Sequence, residues 1–175
     1  EYLVTYQIAA TLLKKPQPAK ACHYPVMDAQ QHPLTFTGQE LTLSTIDAAA
    51  LRDSALFQQT RSAILDAAHE TQASGAVFVL AFIPHKAHVY WESLIAAGQI
   101  TTFSGDTLVA EPTAEGLRFN ESISDPAEIA DYLVRNMDAQ RQLLAELADE
   151  AGFLFLDFTP ALQAASAGSD LLYFY

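Results

Sequence analysis

Eight consecutive apolar residues, Ala76-Val77-Phe78-Val79-Leu80-Ala81-Phe82-Ile83, follow Gly75 and empty into Pro84-His85-Lys86-Ala87-His88-Val89-Tyr90. A run of this length, bounded by a glycine and a proline, reads as a strand buried on both faces, the pattern of a parallel sheet covered by helices. In open α/β sheets, ligands bind where the chain leaves the carboxyl ends of such strands. The polar cluster after Ile83 is therefore the first place to look for chemistry.

A second apolar run, Phe153-Leu154-Phe155-Leu156, also starts after a glycine and also ends at polar residues, Asp157 and Thr159. Between the two lies helical patterning. Tyr90, Leu94 and Ile95 mark a helix closing at Gly98, and Asp125, with Pro126 at the first helical position and Glu128 three residues on, opens another. The stripe Ile129, Leu133, Met137, Leu144 and Leu147 carries that second helix to Gly152. Strand, helix, strand is a right-handed crossover, so the two apolar runs should lie parallel in one sheet.

Upstream, Asp47 reads as the N-cap of one long helix reaching His69 to Ala73. Residues 1–15 read as a helix stopped by Pro16-Gln17-Pro18. Leu34–Thr37 and Leu41–Ser44 read as a hairpin about Gly38-Gln39-Glu40, and Thr107–Ile123 as a second one turning at Ala114-Glu115-Gly116. Pro160 to Ala167 reads as a short helix, and Leu171–Tyr175 closes the sequence on an apolar, aromatic run. The expected fold class is α/β, a three-layer doubly wound parallel sheet with two hairpin excursions. Two parallel strands fall short of the roughly five such a sheet uses, so residues 1–175 read as a single-domain fragment, the second half of a larger α/β domain.

Composition narrows the partners. Half of the 175 residues are hydrophobic, enough for one core, and the net charge of −12 repels phosphate backbones, so no nucleic acid is expected. Apolar stretches stop short of the roughly 20 residues of a membrane span, and the opening residues do not read as a signal peptide. The lone Cys22 excludes an internal disulfide framework. Beside His23 in an extended segment, it would point to the opposite face from that imidazole.

The block Phe82-Ile83-Pro84-His85-Lys86-Ala87-His88-Val89-Tyr90 resembles the strand-exit block Ile-Pro-(Ser or Thr)-Lys-x-x-Val-Tyr of bacterial SGNH (GDSL-like) hydrolases, in the branch similar to alginate O-acetyltransferases. The order of a long helix, a glycine-initiated strand ending in Leu-x-Asp-x-Thr-Pro, and a closing Leu-Tyr-Phe-Tyr fits the family over Ala48 to Tyr175. The resemblance implies a serine esterase or O-acetyltransferase acting on acylated carbohydrate or small esters, and a cell-envelope setting. It implies no cofactor.

The family's Gly-Asp-Ser nucleophile block is missing, position 85 carries His in place of a small hydroxyl residue, and all five histidines precede residue 89. No catalytic residue is therefore assigned, and the chain alone is expected to be inactive. Its expected contribution is a cleft wall built from His85, Lys86, Tyr90 and Asp157; Lys86 reads as a cation at the cleft rim, or else as a solvated strand-exit lysine or a partner for a neighbouring carboxylate such as Asp157. Phe103-Ser104-Gly105-Asp106-Thr107-Leu108 imitates the nucleophile signature but reads as a Gly-Asp turn before a hairpin.

Two other classes stay open on the residues. In a non-catalytic binding module, the strand-exit residues and the two hairpins would contact a glycan or a partner protein; Tyr90 and Trp91 could stack on a sugar face, although core packing is the ordinary use of such rings. His85, His88 and Glu92, spaced i, i+3 and i+7, could share a helix face and hold a metal ion for a metal-dependent enzyme. Pocket-wall histidines are the commoner outcome. Glu146, Asp149 and Glu150 read as a solvated helix face, and Glu111, Glu115 and Glu121 as edge protection on a hairpin.

Overall fold

The computed structural model describes residues 23–27, 31, 33–37, 41, 44–98, 107–113, 116–123 and 125–167. The readings over residues 1–15, Cys22, Ser104 to Asp106 and Leu171–Tyr175 lie outside them. Strand β1 (His23–Met27) pairs antiparallel with β2 (Pro33–Thr37), His23 facing Thr37 and Met27 facing Pro33. β2 pairs with β1, whereas of the expected partner Leu41–Ser44 only Leu41 and Ser44 are described and Thr42 and Leu43 lie outside the described residues. Leu41 is buried, and the Ser44 N–H donates to the Leu41 carbonyl at 2.9 Å, which closes a turn there. The connection that reverses the chain lies earlier, where Gln31 takes a left-handed φ of 66°.

The helix expected from Asp47 to Ala73 is two helices. Asp47 caps α1 (Ala48–Asp53) by accepting from the amides of Ala49 and Ala50. Ser54 then leaves helical geometry at φ −70°, ψ 143°, and serves both neighbours. Its hydroxyl donates to the Leu51 carbonyl at 2.6 Å and accepts from the Phe57 amide at 3.1 Å, opening α2 (Ala55–Ala73). A serine offers the backbone these alternatives, which hydrophobic periodicity alone does not register.

Strand β3 (Val79–Phe82) and strand β6 (Leu154–Asp157) are parallel, in the register Val79 to Leu154 through Phe82 to Asp157. This is the pairing that the crossover argument requires. Between them come α3 (Lys86–Ala96), the hairpin β4 (Thr107–Thr113) and β5 (Gly116–Ile123), then α4 (Pro126–Asn136) and α5 (Ala139–Ala151). The hairpin closes with Thr113 facing Gly116, as read. Helices α4 and α5 replace the single helix expected to run to Gly152, because the chain breaks at Met137 and Asp138. Gly152, at φ 71°, stops α5 in the left-handed conformation that glycine adopts without steric cost. After β6, the chain enters α6 (Thr159–Ser166).

Two clusters hold these elements together. In one, Phe36 of β2 packs with Tyr90 and Leu94 of α3 and Leu133 of α4. In the other, Phe57 and Ile64 of α2 and Leu143 and Leu147 of α5 pack against Phe78, Leu80 and Phe82 on one face of the sheet. The opposite face is bare: Val77 is 71% exposed, Ile83 70% and Leu154 59%, with Val79 and Leu156 also exposed. The strands are thus not buried on both faces as their composition suggested: among the described residues, α2 and α5 pack on the side of Phe78, Leu80 and Phe82. The architecture is mixed α/β, mostly helical, around a two-stranded parallel sheet among the described residues.

Candidate functional site at the strand exit

The carboxyl ends of β3 and β6 meet the starts of α3, α5 and α6, and charged side chains from each converge there. His88, in the first turn of α3, is 4% exposed, and its Nε2 lies 2.6 Å from Asp138 Oδ1. Asp138 sits at the break between α4 and α5. The Nε and Nη2 of Arg141 donate to its two oxygens at 3.1 and 2.9 Å. The remaining arm of the guanidinium, Nη1, donates to Asp157 Oδ2 at 3.1 Å, and Asp157 Oδ1 accepts from the Thr159 amide at 2.8 Å. One continuous chain of polar contacts therefore runs from α3 to the first residue of α6. Gln163 of α6 closes it by donating to the His88 carbonyl at 3.3 Å.

Protonation states follow from the surroundings. Burial holds the His88 imidazole below its ordinary value, outweighing the pull of Asp138 in the other direction. Burial works against ionisation of Asp138, yet the hydrogen bonds and charges of Arg141 and His88 outweigh it and hold that carboxyl below the usual range. Asp157 behaves alike, with burial overcome by Thr159 and Arg141. The hydrogen bond and charge of Asp138, followed by the hydrogen bond and charge of Asp157, raise Arg141 above its ordinary value despite some burial. At neutral pH, a neutral His88 donates its Nε2–H to an ionised Asp138.

The residues singled out in the sequence are brought together only in part. Asp157 stands at the strand exit, but its partner is Arg141 and not Lys86. The Lys86 ammonium turns the other way, donating to the Thr35 carbonyl of β2 and lying 5.1 Å from the Phe36 ring centroid. Tyr90, expected on the cleft wall, is 1% exposed and belongs to the core, as does Trp91 at 5%. His85 is exposed at the rim, its Nε2 3.1 Å from the hydroxyl of buried Ser44.

The metal reading is not supported by the arrangement. His88 Nε2 is engaged by Asp138, Glu92 faces solvent, and the His85 and His88 ring centroids are 6.0 Å apart. Among the described residues, no group of three His, Cys, Asp or Glu side chains is placed to hold a metal ion. Sequence reasoning missed Asp138 and Arg141. The signal was present, since an Asp and an Arg three apart at a helix start can face each other, but their contacts with residues 50 positions earlier and 16 later are set by the fold.

A groove of about 240 Å³ between α2 and α5 is lined by Arg52, Phe57, Arg61, Leu147, Glu146 and Glu150. It is smaller than the roughly 300–1,000 Å³ typical of ligand pockets. Its charges are already matched, Arg52 with Glu146 at 2.6 Å and Arg61 with Glu150 at 3.6 Å. The strand exit is the better candidate. No described helix is long and apolar enough to cross a membrane. No family model matches the chain, and no curated protein or solved structure matches it.

Proposed function

We propose that this chain forms part of an SGNH-type, three-layer α/β domain of a serine esterase or O-acetyltransferase acting on acyl esters of carbohydrate or cell-envelope substrates. The observation that supports this reading is the parallel register of β3 and β6, with His85, Lys86 and Asp157 all at the carboxyl ends of the pair. The bare face, with Val77, Ile83 and Leu154 exposed, is what a doubly wound sheet presents before its second helical layer is added. In such a domain a serine attacks the acyl carbon, a histidine takes its proton, and backbone N–H groups hold the oxyanion.

This chain supplies scaffold and rim to that chemistry. His85 is the side chain it exposes toward a substrate. The charged chain from His88 to Asp157 fixes the positions of α3 and α6 beside it. Hydrolysis of a chromogenic acetyl ester, and acetyl transfer to a polysaccharide, would be measured for this chain and for a polypeptide extended at both ends. Sustained turnover only in the longer polypeptide is the expected result. Its absence from both overturns acyl transfer and leaves a binding module.

A further inference from the structure

His85 is placed as the N-cap of α3, yet its side chain makes no capping hydrogen bond to that helix. The ring reaches instead across 41 positions of sequence to Ser44, Nε2 to Oγ at 3.1 Å. Both ends of this contact are fixed. Pro84 is fully buried immediately before His85, and the Ser44 amide is bonded to the Leu41 carbonyl. The next residue, Thr45, has its carbonyl held at 2.8 Å by Asn136 Nδ2 from the end of α4. A serine hydroxyl against an imidazole nitrogen, in a turn anchored from two sides, is the geometry of a nucleophile beside its base.

We propose that Ser44 and His85 form a nucleophile and base pair that accepts an acyl group from an activated carboxylic ester. With its proton on Nδ1, the His85 ring takes the Ser44 hydroxyl proton on Nε2 while Oγ bonds to the acyl carbon. The alkoxide or aryloxide leaving group departs with the electron pair of the broken C–O bond, and Nε2 returns the proton to it or to solvent. Ser44 ends as an ester and His85 as it began. Ser44 is buried at 3% exposure beside the exposed His85, which limits contact of its hydroxyl with bulk water, and a reagent would approach from the His85 side. The positive end of α3 at the same place favours the charge that develops on the acyl oxygen.

The pair requires only this chain, so it stands or falls apart from the domain reading above. Capture is read as a stoichiometric adduct, whereas that reading is tested by turnover. The chain is mixed with p-nitrophenyl acetate, release of p-nitrophenolate is followed, and the acetylated residue is located by peptide mass mapping. The expected result is a burst of one equivalent with the acetyl group on Ser44. The Ser44→Ala variant should lose the burst, and His85→Gln should slow it by about 100-fold or more, the usual contribution of a general base. Ser44→Cys should be acetylated as a thioester and serves where the alanine variant is unstable. No acetyl at Ser44, acetyl only on lysines or His85, or labelling of Ser44 in His85→Gln at the wild-type rate would each overturn the proposal.

Discussion

His88 Nε2 and Asp138 Oδ1, 2.6 Å apart, join the first turn of α3 to the break between α4 and α5. Asp138 is also the acceptor for two nitrogens of Arg141, so one carboxylate holds three donor atoms. Replacing it by Asn keeps the size but removes the charge and at least one acceptor site. Hydrogen bonds to charged groups contribute about 1.5–3 kcal/mol, less where solvent reaches them. Asp138→Asn should therefore lower stability by about 1–2 kcal/mol, read as a lower urea midpoint with an unchanged slope.

Acid should weaken the fold from an unusually high pH. His88 in the folded chain lies below its ordinary value, so on falling through about pH 6.5 the unfolded chain binds a proton that the folded chain resists, and stability drops. Asp138 and Asp157 are also held low, which adds stability above the ordinary carboxylate range that is lost as pH falls through their folded values. Melting temperature should decline in two stages. His88→Gln should remove the upper stage and leave the lower; an unaltered upper stage would show that another group causes it.

Tyr90 is a core residue, and its truncation should behave accordingly. Tyr90→Ala empties space beside Phe36, Leu94 and Leu133 and should cost about 3–5 kcal/mol. A variant whose melting temperature is unchanged would return Tyr90 to the cleft wall.

The bare and covered sides of the sheet should respond oppositely. Val77→Lys or Leu154→Lys should change the stability of this chain by no more than about 0.5 kcal/mol, whereas Phe153→Ala, on the packed side, should cost about 3 kcal/mol or more. In the extended polypeptide of the domain reading, the same two lysines should become destabilising by well over 1 kcal/mol, because the face would then be covered.

Ser54→Ala removes the acceptor of the Phe57 amide and the donor to Leu51 at once. The cost should be about 1–2 kcal/mol, and Ser54→Asp should recover part of it by restoring the cap.

The parts of this fold visible in the sequence are those that local chemistry dictates. The parallel β3 and β6 pair followed from two apolar runs separated by a helix, and Asp47, Asp125 and Gly152 announced helix ends by residue type. The break at Ser54 was hidden because its hydroxyl competes with the helix without disturbing the apolar spacing. The break at Asp138 was hidden for a different reason: its carboxylate is committed to His88 and Arg141, and that commitment exists only once the helices have packed. Exposure of the sheet's second face was also illegible, since Val77 and Ile83 have the same composition as the covered Phe78 and Leu80. Lys86 was matched to Asp157 by strand level, but side-chain direction sent it to Thr35.

The uncovered flank of β3 and β6 carries no charge among Val77, Val79, Ile83, Leu154 and Leu156, and the pair has strand edges that no other described strand occupies. A greasy ledge beside strand edges that no described strand occupies invites a stray strand from any neighbouring molecule. Recovery of native material after dilution from denaturant should therefore fall as protein concentration rises, with losses to precipitate rather than to slow folding, and low ionic strength should protect the chain because its twelve excess negative charges then keep copies apart.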